Sequence, residues 1–303
     1  MSNWKTYING FKAFLQLEKG LSKNSVDAYI NDVLKLKSYL DDQNLSLSIN
    51  QITDEHIFGL LKQINDLELS AATQARILSG LKSFFSYLEL EEIIDFDPTE
   101  LIQAPKIGRK LPDVLSKEDV DSLISAIDLS TNEGHRNQAI LETLYGCGMR
   151  VSELINLQIS NTYFNDSFVK VIGKGNKERL IPINDNAIKS IKIYIEHYRN
   201  HLNIKKGHED FVFLNRRGAQ LTRVMIFTII KRLAVIAQIN KNISPHTFRH
   251  SFATHLVNAG ANLRAVQEML GHESITTTEI YTHLDREYLR QEIIQHHPRV
   301  NKK

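Results

Sequence analysis

Apolar residues recur every three or four positions through most of the first hundred residues. In one segment, Tyr29, Val33 and Leu36 fall on a single helical face. Ser22 and Ser70 each stand just before such a segment, where a hydroxyl can accept a hydrogen bond from the first helical turn. The spacing predicts a bundle of four or five helices, the clearest of which cover residues 4–19, 25–43, 53–69 and 71–90.

A proline-containing stretch interrupts this periodicity. Residues 104–112 hold two prolines and one glycine among the basic residues Lys106, Arg109 and Lys110, which is typical of an exposed linker. We therefore predict an N-terminal domain over residues 1–103 and a second domain over residues 113–303.

The second domain combines helical periodicity with one stretch of a different kind. Helical spacing returns at residues 116–127, 135–144, 184–201, 222–237, 246–259 and 262–270. Between residues 164 and 183, two runs rich in valine and isoleucine flank the turn-forming sequence GKGN, which predicts a β-hairpin. The chain is thus predicted to be mainly α, with an N-terminal four- or five-helix bundle followed by a helical catalytic domain with a small antiparallel β-sheet.

Composition narrows the functional classes only slightly. A chain of 303 residues with 42% hydrophobic and 24% charged residues is typical of globular domains. The single cysteine, Cys147, cannot form an internal disulfide, and neither an export signal nor a membrane span is visible, so we expect a cytoplasmic protein. Residues 1–112 carry 12 basic and 15 acidic side chains, a net of −3, and the remaining 25 and 20 give +5. This modest asymmetry is compatible with a nucleic-acid partner and does not demand one.

Polar residues at four separated places in the second domain are candidates for chemistry. In GCGMRVSEL, two glycines precede Arg150, whose planar fork of donors suits a phosphate. Taken alone, however, Arg150 followed three residues later by Glu153 is more typical of a surface ion pair. Lys174 lies at the predicted hairpin tip, where a basic turn can enter a DNA groove but can also be a simple solvated loop.

The third place is the helix that begins near SPHTFRH. His246 and Arg249 are three residues apart and share one face of this helix. His246 and His250 match the spacing of zinc-binding helices, but Thr247 stands where that motif requires glutamate. The pattern therefore disfavours a metallohydrolase.

The fourth place follows a glycine that resembles a helix C-terminal cap. Gly271 would leave His272 projecting from the next turn, and Tyr281 comes nine residues later. A lone tyrosine is far more often a packing residue than a nucleophile, so Tyr281 gains meaning only from the residues around it.

Considered together, these residues match metal-independent attack on a phosphodiester. The guanidiniums of Arg150 and Arg249 would stabilise negative charge on the phosphate oxygens, and no acidic pair is present to hold Mg²⁺. The phenol of Tyr281 must lose its proton as it attacks, and Lys174 can protonate the leaving oxygen. We predict that neither a metal ion nor a cofactor is needed.

These segments resemble the tyrosine recombinase (phage integrase) family, and within it the XerC/XerD branch. The match covers GCGMRVSEL, VIGKGNKERLIP, SPHTFRHSFATHLVNAGANLRAVQEMLGHESITTTEIYTH and the final HHPR, in the right order over nearly the whole chain. The resemblance implies that Tyr281 is the nucleophile and that Glu153 orients its neighbours. It implies a catalytic set of Arg150, Lys174, His246, Arg249, His272 and Tyr281. DNA-binding residues are expected in the hairpin and linker, namely Lys177, Arg179, Lys106, Arg109 and Lys110.

The resemblance also implies partners. The N-terminal domain would be a core-binding, SAM-like clamp on double-stranded DNA, although its net charge of −3 leaves open which face contacts DNA. Recombination through a 3′-phosphotyrosyl intermediate would occur at a dif-like site, in a tetramer with a sister Xer recombinase and under a FtsK-like translocase. The segment Tyr288–Lys303 would dock on a neighbouring subunit. A transposon or phage-type integrase and a non-catalytic DNA-binding protein remain the alternatives.

Overall fold

The computed structural model describes residues 4–106, 108, 113–173, 177–271 and 283–300, with side chains from residue 288 onward in the last range. The chain divides into two compact units, Met1–Lys110 and Leu111–Lys303. Helices dominate both units, and one small antiparallel sheet lies in the second unit. The predicted fold class is confirmed.

Unit 1 is the predicted helical bundle. Two serines cap its helices as expected, since the Ser22 hydroxyl accepts a hydrogen bond from the Ser25 amide and Ser70 accepts one from Thr73, each at 3.3 Å. The long helices are α1 (Trp4–Leu17), α2 (Lys23–Asp42), α3 (Asp54–Asp66) and α4 (Ala71–Leu90).

The apolar stripes of these helices form one core, which contains a single buried carboxylate among the residues of unit 1 that the structure describes. Phe11, Phe84 and Phe85 are fully buried in this core. Asp32 of α2 is 2% exposed and binds both terminal nitrogens of Arg76 on α4, at 2.5 and 2.8 Å. A glycine on α4 makes room for it, because a Cβ at position 80 would lie 2.7 Å from the Asp32 carboxylate.

Unit 2 is built around one central helix, α6 (Asn132–Cys147). Most of this helix is buried, and it packs against the helix after the sheet and against the helix that carries Arg249. The helices of the unit are α5 (Lys117–Ser125), α6 (Asn132–Cys147), α7 (Val151–Ile155), α8 (Asp185–His197), α9 (Arg223–Ile236), α10 (Pro245–Asn258), α11 (Leu263–Leu270) and α12 (His283–His296). The sequence pattern did not predict α12 as a separate helix.

The sheet contains the predicted hairpin. Strands β2 (Phe168–Ile172) and β3 (Glu178–Pro182) pair in antiparallel register, with Val171 opposite Arg179, and the two-residue strand β1 (Thr162–Tyr163) pairs with β2. The prediction of a hairpin between residues 164 and 183 is confirmed. The register places Arg179 on the inward face of β3.

The last helix closes the C-terminal side of unit 2. Leu289 and Ile293 of α12 are buried in a small apolar cluster with Phe252 and Leu256 of α10. Within the described residues, no helix combines the length and apolar composition that crossing a bilayer requires.

Candidate active site

A sharp turn between two helices positions Arg150. Helix α6 ends at Cys147 and is capped by Gly148, which adopts a left-handed conformation with φ of 58°. A side chain at Gly148 could not be accommodated, since its Cβ would lie 2.3 Å from the ring of Phe252. The chain then reverses, and Arg150 becomes the N-terminal cap of α7. Position 148 therefore requires glycine for two reasons, its left-handed backbone and its close contact with Phe252, and the resulting turn places Arg150.

Glu153 fixes the position of Arg150 by hydrogen bonds to its side chain and its backbone. One carboxylate oxygen accepts a hydrogen bond from Arg150 Nη1 at 3.0 Å, and the other accepts one from the Arg150 backbone amide at 2.7 Å. Glu153 is almost fully buried, whereas the Arg150 side chain is 37% exposed. The pair is thus not the surface ion pair that the short motif alone suggested, because only the cation reaches solvent.

Arg249 is the buried counterpart of Arg150. It lies on α10, one turn after the Ser244 cap, and is 6% exposed. Its guanidinium donates to the carbonyl oxygen of Gly148 at 2.9 Å and to that of Leu270. Burial, together with repulsion by Arg150 and Arg179, lowers the pKa of Arg249 to about 10, and the charge of Glu153 partly opposes this shift. Arg249 therefore remains cationic at neutral pH.

Three arginines meet at the C-terminal end of α11. A helix ends with carbonyl oxygens that have no partner within the helix and carry partial negative charge, so it attracts cations there. Three successive carbonyls are bound in this way: Met269 by Arg179 Nε at 3.2 Å, Leu270 by Arg249, and Gly271 by Arg150 Nη2 at 3.1 Å. Arg150 and Arg249, which were predicted to share a phosphate, are therefore brought together.

Arg179 does not lie where it was predicted. We expected it to contact DNA from the hairpin, but it is 9% exposed and both terminal nitrogens bind the carboxylate of Glu153, at 2.7 and 2.8 Å. A guanidinium enclosed in this way is not available to a DNA phosphate, so its assignment as a DNA-contacting residue is corrected. Period-two alternation could have indicated this, since Arg179 shares the inward face of β3 with the buried Ile181.

The other predicted residues fall into two groups. His246 is exposed in the first turn of α10, on the helix that carries Arg249, and Lys177 and Lys106 are also exposed. The remaining predicted residues lie outside the described part of the chain, namely Lys174, His272, Tyr281, Arg109 and Lys110. For these, position in the sequence is the only guide, and His272 directly follows the carbonyl that Arg150 binds.

The charges of the described site do not balance. Arg150, Arg179 and Arg249 bring three positive charges and Glu153 brings one negative charge, which leaves a net of +2. Arg150 has five N–H donors, of which one binds Glu153 and one binds Gly271, so donors remain for a ligand on its exposed side. Such a site can bind an anion and stabilise charge that develops on it. Among the described residues, no group of three or more potential metal ligands occurs.

The C-terminal segment, which we expected to dock on a neighbouring subunit, packs against its own unit in this structure. His297 is buried, and its Nε2 donates to the carbonyl oxygen of Tyr145 at 3.1 Å. Arg299 forms ion pairs with Asp121 and Glu142. Burial lowers the pKa of His297 to about 4, and the charge of Arg299 acts in the same direction. Residues 288–300 are therefore an integral part of unit 2 in this structure.

Comparison with known families matches most of both units. Residues 113–287 match the phage integrase family, and residues 8–92 match the phage integrase N-terminal SAM-like domain. A protein named tyrosine recombinase XerD from Staphylococcus haemolyticus (strain JCSC1435) is 45% identical over 296 residues, which cover 98% of this chain and 100% of that protein. The protein of the same name from Staphylococcus aureus (strain N315) is 43% identical, with the same coverage.

Solved structures agree with these matches. The crystal structure of XerA recombinase is 28% identical to this chain, with a TM-score of 0.50, and the match covers 98% of this chain and 99% of XerA. XerH in a post-cleavage complex with palindromic difH DNA is 24% identical, with a TM-score of 0.69, covering 89% of this chain and 79% of XerH. At that lower identity, the likeness to XerH concerns the fold.

Proposed function

Because the chain belongs to the phage integrase family of tyrosine recombinases, enzymes that break and rejoin DNA, we propose that it is a site-specific recombinase acting at a dif-like site. The single observation that carries the assignment of its active site is the convergence of Arg150 and Arg249 on the end of α11. This convergence creates a local excess of positive charge directly before His272 in the sequence.

In the proposed reaction, two arginines bind the scissile phosphate. Arg150 approaches it from the exposed side of the site, and Arg249 supplies a fixed charge from the buried side. Fixed donors of this kind stabilise the transition state because they need no reorganisation when charge develops. His246 and His272 assist proton transfer and hold the phosphate.

The covalent step is an exchange of phosphate esters. The phenolic oxygen of Tyr281 forms a bond to phosphorus, and the bond between phosphorus and the 5′ oxygen breaks. Lys174 donates a proton to that 5′ oxygen, and the phenolic proton passes to a nearby imidazole. The 3′-phosphotyrosyl bond conserves the energy of the phosphodiester, so a 5′-hydroxyl from another strand can reverse the step without ATP.

The assembly follows from the reaction. Exchange between two duplexes requires paired cleavages, so the enzyme acts as a tetramer on DNA. The proposal further includes a sister Xer recombinase in that tetramer, a cytoplasmic location and activation by a FtsK-like translocase. Residues 1–103 act as the clamp on double-stranded DNA, and the linker and hairpin lysines Lys106 and Lys177 contact phosphates. Such contacts make binding strongly dependent on salt. The named relatives and the dif-bound XerH structure support this proposal.

A nicked suicide duplex tests the chemistry. When the short fragment diffuses away after cleavage, the covalent intermediate accumulates as a denaturant-resistant adduct. We expect the wild-type chain to form this adduct in EDTA and Tyr281→Phe to form none. Tyr288→Phe is the matched control, because Tyr288 is an exposed tyrosine of α12. It should form the adduct at the wild-type rate.

Other outcomes would redirect the assignment. An adduct with Tyr281→Phe would remove Tyr281 as the nucleophile. Tight and specific DNA binding by the wild-type chain without any adduct would instead favour a non-catalytic DNA-binding protein. Cleavage of transposon or phage attachment sites in preference to a dif-like site would favour an integrase.

A further inference from the structure

The side chain of Arg179 is tightly packed between two glycines, Gly173 and Gly271. A Cβ at Gly173 would lie 3.3 Å from Arg179 Nη1, and a Cβ at Gly271 would lie 3.0 Å from Arg179 Nε. Gly271 has a positive φ of 63°, but Gly173 is not among the positive-φ glycines, so its backbone does not demand glycine. A Cβ at position 173 would therefore be in tight contact with the guanidinium of Arg179.

From this position Arg179 joins three elements of the site. It lies on β3, its terminal nitrogens bind Glu153 of α7, and its Nε binds the carbonyl oxygen of Met269 at the end of α11. Each element borders a proposed catalytic residue. Helix α7 is capped by Arg150, β3 begins four residues after Lys174 in the sequence, and α11 ends two residues before His272.

Arg179 also determines how the charge of Glu153 is neutralised. Burial would raise the pKa of Glu153, but the hydrogen bonds and charge of Arg179, together with the contacts of Arg150, hold it below the usual value. Glu153 therefore stays ionised beside two arginines. If Arg179 were absent, Arg150 would be left as the cation bound directly to this buried carboxylate, and its charge would serve Glu153 before it served a phosphate.

We propose that Arg179 is a positioning residue for DNA cleavage, which acts through Glu153 and the end of α11 without touching DNA. This inference rests on the proposed function. It assigns to Arg179 two tasks: neutralising Glu153 so that the charge of Arg150 remains available to the phosphate, and fixing the hairpin base against the phosphate-binding arginines.

The test separates binding from the cleavage step. Single-turnover cleavage of the nicked suicide duplex is measured at saturating protein, and the dissociation constant for the same duplex is measured separately. Arg179→Met should slow cleavage by at least about 10²-fold, the scale of losing one strong transition-state donor, while the dissociation constant changes by less than about threefold. Adding Glu153→Gln to Arg179→Met should raise the cleavage rate at least about tenfold, because it removes the unpaired carboxylate.

The controls distinguish positioning from general stability. Arg136→Met is the matched control, since Arg136 is also a buried arginine that binds a backbone carbonyl, but it lies outside the site. It should lower the melting temperature and leave the cleavage rate unchanged. If Arg179→Met does not fold, Arg179→Lys provides the same comparison, with cleavage at least about tenfold slower at unchanged DNA affinity.

Several results would overturn the inference. These are cleavage by Arg179→Met at the rate of Arg136→Met, weakened DNA binding with a normal rate at saturation, or a double variant no faster than the single one. If Arg179→Lys is used instead, cleavage at the wild-type rate has the same meaning. Failure of the wild-type chain to form any adduct is a separate result, because it would reject the proposed function itself.

Discussion

Among the described residues, Asp32 in unit 1 and Glu153 in unit 2 are buried carboxylates that each bind two cations, and the two arrangements differ in how exposed those cations are. In unit 1, Asp32 is 2% exposed, but its partners Arg76 and Lys35 are 48% and 43% exposed. In unit 2, Glu153 is equally buried, but one of its partners, Arg179, is 9% exposed. In unit 1 the carboxylate is therefore neutralised by solvent-exposed cations, whereas in unit 2 it is neutralised in part by a buried one.

This difference explains why only the unit 2 cluster forms a candidate active site. Solvent screens the charges around Asp32, so that pair chiefly fixes the packing of α2 on α4. Around Glu153, an internal cation matches the carboxylate, and two further guanidiniums remain in excess at the end of α11. In unit 2, the cation that contributes most to neutralising Glu153 is the buried Arg179, and not the exposed Arg150 that we propose binds the phosphate.

Removing each carboxylate gives the largest contrast between the units. Glu153→Ala would leave Arg179 buried without a counter-charge, so we expect the free energy of unfolding to fall by about 3–5 kcal/mol. Asp32→Ala leaves cations that water can solvate, and the loss should be about 1 kcal/mol. Denaturant unfolding of the two variants measures the difference. Equal losses, or a larger loss for Asp32→Ala, would contradict the comparison.

The pH dependence of stability should also separate the units. Because the pKa of His297 is lowered to about 4 in the folded state, the unfolded chain binds the proton more readily between pH 4 and the ordinary value near 6.5. Stability is therefore full above pH 6.5 and falls as pH decreases toward 4, by at most about 3 kcal/mol. Hydrogen exchange should show this loss in unit 2, whose C-terminal segment holds His297.

The control for this pH dependence is His297→Gln. This variant removes the titrating group, so the loss of stability between pH 6.5 and 4 should shrink in unit 2. Unit 1 has one histidine, His56, which is partly exposed. A loss of the same size in unit 1, or an unchanged loss in His297→Gln, would disprove the assignment.

Arg249→Lys tests the geometry of the excess charge. Lysine keeps the positive charge but loses the planar fork that binds Gly148 and Leu270. We expect DNA binding to persist and the cleavage rate to fall by at least about 10²-fold, which corresponds to about 2.7 kcal/mol. Near-normal turnover would show that charge alone is sufficient at this position.

The smallest effect is expected at the exposed lysines. Lys177→Ala should weaken DNA binding modestly and lower the salt slope by about one unit, since one phosphate contact is lost. The cleavage rate at saturation should stay unchanged. Titrations at several salt concentrations measure the slope, and an unchanged slope would remove Lys177 from the DNA contacts.

Much of the fold could be predicted because side-chain periodicity encodes it. The long helices and the β-hairpin follow from apolar spacing, and Ser22 and Ser70 mark two helix starts by their hydroxyls. Helix α12 was missed because Leu289 and Ile293 stand among many charged and polar residues.

The residue types of the candidate site could be predicted from the sequence, but the hydrogen bonds that hold them together could not. The motifs predict that Arg150 and Arg249 bind a phosphate, and the structure brings the two guanidiniums together at the end of α11. The motifs could not show that three backbone carbonyls gather the arginines, because a carbonyl is present at every residue. They also misplaced Arg179, since a charged residue near a basic turn is ordinarily exposed, and only its pairing with buried Glu153 explains the exception.

Mapping the covalent adduct tests the central claim most directly. The wild-type chain is trapped on a nicked suicide duplex in EDTA and digested, and the peptide that retains the nucleotide is sequenced by mass spectrometry. The account predicts that a 3′-phosphate is linked to Tyr281 and that Arg249→Lys greatly slows its formation. Linkage to another side chain, or cleavage with release of both DNA ends and no linked peptide, would contradict it.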